Sequence, residues 1–159
     1  MAIYGTTSDY TDRLLDVSVL QYPDPYAADP KGETLTFGNP SRICAGVQKL
    51  IQRYTIMMLT NIGSQPEYPD FACSFLWTLQ AGVSPLGRIR VIQIFSLADY
   101  SVVNTIKEYQ TTNPNIPLDE QLASTSLINL SLSTGTVKFD VKLTTLAGTS
   151  INFLVPLPK

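Results

Sequence analysis

The chain has 159 residues, of which 44% are hydrophobic and 15% charged, and it carries a net charge of −2 at pH 7 with no histidine. At this length about 70% of the surface of the unfolded chain is buried on folding, so the composition predicts one folded domain outside the disordered class. The absence of histidine excludes Ser-His-Asp and Cys-His nucleophile systems and histidine-ligated zinc sites. The basic residues are scattered, so no nucleic-acid partner is predicted. No apolar run reaches about 20 residues, so no membrane span is predicted.

Residues 1–40 differ from the rest and are predicted to form an extended N-terminal arm. Prolines within residues 21–30 exclude a helix or a central strand there, and only residues 14–20 have a strand-like pattern. One interpretation is a weakly ordered tail. The other is an arm that becomes ordered on a partner, anchored by tyrosines that are costly to leave in water. These arm anchors are Tyr4, Tyr10, Tyr22 and Tyr26.

Residues 41–159 are predicted to form a single α+β domain, which begins with a helix over residues 41–59. Asn39 or Ser41 is expected to cap this helix. Its apolar residues recur at the spacing of one helix face, namely Ile43, Val47, Leu50, Ile51, Tyr54 and Met58. The opposite side is interpreted as a solvated flank, comprising Arg42, Gln48, Lys49, Gln52 and Arg53.

A proline-rich loop follows, and Asp70 is expected to cap a short apolar helix over residues 71–80. Residues 88–95 alternate as a strand does, which favours a strand, although a buried helical turn stays open. The sequence from Ser96 to Asp99 resembles a capping box. It predicts a second long helix whose apolar face is Leu97, Tyr100, Val103, Ile106 and Tyr109.

The last third has a period of two and predicts an antiparallel three-stranded β-meander over residues 126–132, 137–143 and 150–155. In the middle strand the apolar side chains point to one side and Lys138, Asp140 and Lys142 to the other, so one face packs on the helices. The last strand is expected to be an edge. The predicted fold is therefore α+β, with two main helices packed on a C-terminal meander.

Catalytic chemistry has few candidates in this sequence. Glu67 with Asp70, or Asp119 with Glu120, would be acid/base pairs of the kind used in glycoside hydrolysis. The favoured interpretation makes Asp70 a helix cap and the others solvated loop acids. Cys73 is not expected to be a nucleophile, because the sequence identifies no general base for it. Cys44 and Cys73 do not have the spacing of metal ligands, so both are expected to be reduced, buried thiols. No catalytic residue, metal or cofactor is expected.

One segment has a recognisable motif. An amphipathic helix leads through Thr60 and Gly63 to Pro69, Phe71 and Cys73. The chain later ends in a hairpin with an apolar-Pro-Leu stretch at residues 151–157. Together these features resemble the baseplate wedge, or sheath-initiator, proteins of contractile phage tails and their counterpart in type VI secretion baseplates. The resemblance covers residues 41–157.

The sequence departs from the family pattern at three places. Ser64-Gln65 stands where the family has Glu-Arg, Ala72 replaces a Gly, and residues 119–121 stand for a Glu-Pro-Arg motif. This chain is therefore not expected to dock through the ion pairs that the family uses. Gln65, Glu120 and Gln121 would retain hydrogen bonds.

The resemblance implies a non-enzymatic structural protein of the virion that joins the baseplate wedge to the tail sheath and nucleates sheath assembly by strand addition. Its partners would be other wedge proteins and sheath subunits, with hub or tube proteins as further contacts, in a six-fold arrangement. It would be assembled in the host cytoplasm and reside in the tail baseplate. The alternatives are another connector, such as a tail terminator or head-completion protein, a small cellular binding module, or a carboxylate-based glycoside hydrolase.

Two sets of contact residues follow from the resemblance. The residues expected to face the wedge are Thr60, Gly63, Gln65, Pro66, Pro69, Asp70, Phe71, Glu120 and Gln121. The residues expected to form the platform for the sheath strand lie in the last two strands and are Val137, Phe139, Val141, Ile151, Phe153 and Val155.

Overall fold

The computed structural model describes residues 16–18, 20–21, 34–35, 42–69, 71–81, 87–133 and 136–155. The elements in chain order are β1 (Asp16–Ser18), β2 (Leu20–Gln21), β3 (Thr34–Leu35), β4 (Arg42–Cys44), α1 (Val47–Leu59), α2 (Phe75–Ala81), α3 (Arg88–Thr112), β5 (Leu122–Ser133), β6 (Thr136–Thr145) and β7 (Ser150–Val155). The predicted arm anchors Tyr4, Tyr10, Tyr22 and Tyr26, and the predicted cap Asp70, lie outside the described residues.

The C-terminal meander is confirmed, and with it the α+β class. β5, β6 and β7 form an antiparallel sheet in that order, in which Val141 pairs with Leu127 on one side and Phe153 on the other. β7 has the predicted bounds, whereas β5 is longer than predicted and begins at Leu122. Strand alternation buries Phe139 while leaving Lys138 exposed, because only one face of the sheet packs on the helices.

Residues 88–95, which the sequence left open with a strand favoured, are helical, since the single helix α3 covers Arg88–Thr112. Its buried face continues through both predicted segments at helical spacing, as Val91, Ile94, Phe95, Ala98, Val102 and Ile106. A short apolar run fits either period, and only the longer repeat distinguishes them. Ser96 is therefore not a cap, and its hydroxyl donates to the carbonyl oxygen of Ile92 inside the helix at 2.9 Å. The described part of the domain therefore has two long helices, α1 and α3, and the short helix α2, as the sequence predicted.

Helix α1 begins later than predicted. Residues 42–44 form β4, which pairs with β1 in the register Asp16 to Cys44. The residue before the helix is Gly46, whose φ of 63° lies in the left-handed region that glycine adopts most readily. The predicted caps Asn39 and Ser41, which lie outside the described residues, therefore do not begin this helix. Helix α2 likewise begins at Phe75 rather than at residue 71.

The polar flank of α1 is not solvated as predicted. The side chain of Gln52 is buried, and its amide donates to the carbonyl oxygen of Val17 at 2.8 Å and to Asp16 Oδ2 at 3.3 Å. These bonds attach β1 to the helix. A buried amide must find such partners, so the position of β1 and the burial of Gln52 depend on each other.

The core lies between the inner face of the sheet and the three helices. Aromatic rings join these layers, because Phe95 of α3 stacks on Phe139 of β6 with ring centroids 4.9 Å apart, and Phe75 of α2 meets Phe139 edge-on at 5.3 Å. Tyr54 of α1 packs edge-on against Phe153 of β7 at 5.7 Å. The three helices, β6 and β7 therefore each bury a ring against another layer.

A polar network also crosses this core. The Tyr54 hydroxyl donates to Asp99 Oδ1 at 2.5 Å, and the Thr125 hydroxyl bonds both Asp99 oxygens, at 2.8 and 2.9 Å. The network thus links α1, α3 and β5. Burial, followed by the charge of Asp99, raises the pKa of the Tyr54 phenol well above its usual value, so the phenol keeps its proton and remains a donor.

Candidate functional site

The loop after α1 is folded on itself rather than extended. The N–H of Ile62 donates to the carbonyl oxygen of Cys73 at 3.0 Å, and the N–H of Gly63 donates to that of Pro69, also at 3.0 Å. These bonds bring the two ends of the loop together and leave its middle exposed. Of the predicted wedge residues, Thr60, Gly63, Pro69 and Phe71 therefore form the base of the loop, and Gln65 and Pro66 lie at its exposed tip.

Glu120 has a different environment from the one predicted. It is buried, with Oε1 accepting the N–H of Gly46 at 3.0 Å and Oε2 lying 3.2 Å from Lys49 Nζ. A carboxylate at this position caps the N-terminal end of α1 and complements the helix dipole. The prediction of a solvated loop acid was wrong for Glu120. Its neighbour Gln121 donates its side-chain amide to the carbonyl oxygen of Ile116 at 2.6 Å.

The predicted wedge residues therefore do not form one cluster. The loop of residues 60–71 follows the C-terminal end of α1, whereas Glu120 lies at the N-terminal end of the same helix. A helix of 13 residues is about 20 Å long. A single small contact cannot include both groups.

The predicted sheath residues belong mostly to the core. Phe139, Val141, Phe153 and Val155 are at most 4% exposed, and Val137 and Ile151 pack partly against the same cluster. The four buried side chains belong to the core and are closed to a partner. The strand over residues 137–143 is also the central strand β6, which is paired on both sides. The prediction that this strand is a platform for a partner strand was therefore wrong, and among the described strands β5 and β7 are the edges of the sheet.

The geometry of the last turn shows which backbone groups of β7 face outward. The N–H of Thr145 donates across the turn to the carbonyl oxygen of Thr149 at 2.9 Å. Because backbone groups alternate in direction along a strand, every second residue of β6 counted back from Thr145 faces β7. Their partners are Ile151, Phe153 and Val155. The remaining residues of β7 direct their N–H and C=O groups away from β6, and these are Ser150, Asn152 and Leu154.

Beside α1 lies a pocket of about 500 Å³, closed by the end of α3 and the segment after it. Its lining residues are Lys49, Leu50, Arg53, Tyr109, Thr112, Asn113, Pro114, Asn115, Ile116, Pro117 and Glu120. The guanidinium carbon of Arg53 lies 4.3 Å from the centroid of the Tyr109 ring. Sequence reasoning missed this pocket, since Arg53 and Tyr109 are far apart in the chain and only packing brings them together.

Helix α3 exposes apolar side chains that were predicted to be buried. Leu97 and Tyr100 are 72% and 69% exposed, and Ile89 on the same helix face is 75% exposed. This face points away from the core because the buried residues of α3 occupy the opposite side. Trp77 of α2 is also exposed. The prediction that Leu97 and Tyr100 line the core was therefore wrong.

The two thiols are free and buried, as predicted. The Cys73 thiol lies 3.5 Å from the carbonyl oxygens of Met57 and Met58, and burial raises its pKa. Burial, followed by the charge of Asp16, raises the pKa of Cys44 to about 11. Neither thiol has the lowered pKa of a reactive cysteine. Of the acids considered as acid/base pairs, Glu67 is exposed on the loop, and Asp119 is partly buried beside Glu120.

No helix in the described ranges is long and apolar enough to cross a bilayer. Among the residues that the structure describes, no three His, Cys, Asp or Glu side chains are grouped so as to hold a metal ion. Comparisons with protein-family models, with curated proteins and with solved structures find no match.

Proposed function

We propose that this protein is a structural subunit of a contractile-tail baseplate, which joins the wedge to the sheath and nucleates sheath assembly by strand addition. The observation that carries the proposal is the outward edge of β7. Among the described strands β7 pairs only with β6, and the N–H and C=O groups of Asn152 point away from that partner. Such an edge is a template for an additional strand.

Backbone pairing at this edge supplies affinity, and the alternating side chains supply selectivity. An incoming strand would lie beside two different rows of β7. One row faces the polar side of the sheet and includes the exposed Asn152, while the other includes the half-buried Ile151. A sheath strand with alternating polar and apolar side chains fits both rows.

The conformation of Ala72 supports the family resemblance. Its φ is 87°, in the left-handed region where an L-residue other than glycine is strained, and it is buried. The family has a glycine at this place in the loop motif. If this loop has the same structure as the family's loop, residue 72 must adopt the conformation that glycine adopts in the family, and Ala72 does so.

The wedge contact is proposed at the tip of the loop rather than at Glu120. Tyr68 is 65% exposed at this tip, beside Gln65 and Pro66. Prolines reduce the ordering cost of binding, and tyrosines are frequent interface anchors. Both oxygens of Glu120 are bonded within the domain, which leaves that side chain a structural role.

This assignment makes the protein a non-catalytic component of the virion, present in six copies around the tail. The engagement of Glu120 supports a non-catalytic role, because a carboxylate that caps a helix is not placed to exchange protons with a substrate. The partners proposed are wedge proteins, sheath subunits and, more centrally, hub or tube proteins.

The test is a proline at the outward position of β7. Asn152→Pro removes an N–H that makes no bond within the sheet, and its ring blocks an incoming strand, so the fold is expected to remain while sheath assembly is lost. Asn152→Thr is the matched control, because it keeps the N–H and a strand-forming side chain. The measurement is electron microscopy of baseplates assembled with each variant.

Bare baseplates with Asn152→Pro and sheathed ones with Asn152→Thr are the expected result. Normal contractile sheaths on the proline particles would overturn strand addition at β7. Deleting residues 150–159 is a weaker test, since Phe153 and Val155 belong to the core and their removal would unfold the domain. A stable hexameric ring of the isolated chain would instead favour a tail terminator.

A further inference from the structure

We propose that the pocket beside α1 binds an acidic peptide segment of a partner protein, with Arg53 recognising a carboxylate of that segment. This site is separate from the edge of β7, and it stands whether or not that edge recruits sheath.

The charge of Arg53 is the first reason. Arg53 is partly buried, and the described part of the chain offers its guanidinium the Tyr109 ring but no ion-pair partner. A cation over an aromatic face is held in position through the ring, while the N–H groups at the edge of the guanidinium plane remain able to donate. Those N–H groups match the two oxygens of a carboxylate.

The second cation of the pocket is already balanced. Lys49 Nζ lies 3.2 Å from Glu120 Oε2, so this pair contributes no net charge. The remaining lining residues are neutral. The pocket therefore carries one net positive charge, that of Arg53, which is complementary to a single acidic side chain and too little for a run of phosphates.

The apolar lining is the third reason. Leu50, Tyr109, Pro114, Ile116 and Pro117 provide apolar surface around the charge. The volume of about 500 Å³ lies within the range of about 300–1,000 Å³ that is usual for ligand pockets. A carboxylate with its flanking peptide residues fills such a space, whereas a small free anion leaves the apolar walls uncovered.

The experiment is an NMR titration of the full ¹⁵N-labelled chain with the capped peptide Ac-Ala-Ala-Glu-Ala-Ala-NH₂. The expected result is a set of amide shifts in residues 49–53 and 109–117, with saturation in the millimolar range. The same peptide with Gln in place of Glu is expected to bind at least about fivefold more weakly, because it lacks the charged partner of the guanidinium.

Two variants and one control test the role of Arg53. Arg53→Gln is expected to lower the affinity for the Glu peptide at least about fivefold. Arg53→Lys keeps the charge but loses the planar fork, so it is expected to lower the affinity by a smaller factor. Lys138→Gln removes one positive charge from the exposed side of β6, outside the pocket, and is expected to bind as the parent does. Circular dichroism confirms that each variant is folded.

Several results would overturn the proposal. Equal binding of the Glu and Gln peptides, or unchanged binding by folded Arg53→Gln, would exclude carboxylate recognition by this residue. Unchanged binding by folded Arg53→Lys would exclude recognition through the guanidinium fork. Sodium acetate that shifts the same amides at the same concentrations would indicate a small-anion site in place of a peptide site. Absence of shifts up to about 10 mM Glu peptide would exclude the site.

Discussion

Ala72 is a buried residue with a φ of 87° in the loop that precedes α2. An alanine in this conformation brings its Cβ close to the carbonyl oxygen, at a cost of about 1–2 kcal/mol relative to glycine. The strain persists because the neighbouring residues are fastened, with the N–H of Cys73 bonded to the carbonyl oxygen of Thr60 at 3.3 Å. The loop geometry therefore outweighs the preference of the residue.

This strain predicts an unusual response to Ala72→Gly. The free energy of unfolding is expected to change by less than about 0.5 kcal/mol, because relief of strain offsets the lost methyl burial and the added freedom of the unfolded chain. The control Ala98→Gly, at a buried position inside α3, is expected to lose about 1.5–2 kcal/mol. Urea unfolding measures both variants, and equal losses would contradict the strain at Ala72.

At the scale of elements, α1 begins without a side-chain cap from its own sequence. Its N-cap residue Gly46 makes no side-chain cap bond, and the first turn contains no acidic residue. Glu120, which comes 74 residues later in the chain, supplies the carboxylate that the helix end lacks. The segment before β5 is thereby fastened to the start of α1.

Removal of this distant cap is expected to be costly. Glu120→Ala would leave the N–H of Gly46 unpaired and remove the carboxylate beside Lys49, and is expected to lower the free energy of unfolding by about 2–4 kcal/mol. Glu120→Gln keeps an acceptor and is expected to lose about 1–2 kcal/mol. Urea unfolding provides the measurement, with the exposed Glu67→Ala as control at less than about 0.5 kcal/mol. Similar losses for Glu120→Ala and Glu67→Ala would exclude the capping role.

At the scale of the whole molecule, the carboxylate of Asp99 joins three elements that are distant in sequence. It accepts from Tyr54 of α1 and from Thr125 of β5 while belonging to α3. Charge-assisted bonds of this kind are stronger than neutral ones, and a buried network left incomplete is costly. The network therefore orients the two long helices on the sheet.

Asp99→Asn is expected to lower the free energy of unfolding by about 1.5–3 kcal/mol, since the neutral amide has a single acceptor oxygen and makes no charge-assisted bond. Tyr54→Phe removes a single bond and is expected to lose less. Because both changes act on one network, the double variant should lose less than the sum of the two single ones, and urea unfolding of all three tests this. Strict additivity would show that Tyr54 and Asp99 act independently.

Much of the fold could be predicted from the sequence because local period records which face of an element is buried. The alternation in the last third predicted the meander and the bounds of β7, and the helical spacing predicted the burial of Leu50, Ile51 and Tyr54. The sequence determined the secondary structure of short segments less well. Residues 88–95 fit two periods, and residues 42–44 became a strand only because β1 lies beside them.

The sequence by itself determined that this chain forms an α+β domain with a meander and two buried thiols. Only the tertiary structure decided which backbone groups of β7 face outward, that Glu120 caps α1, and that Arg53 meets Tyr109 in a pocket. The physical reason is that period and composition report how strongly a side chain avoids water. They do not report which distant group satisfies its hydrogen bonds or its charge, because long-range packing selects those partners.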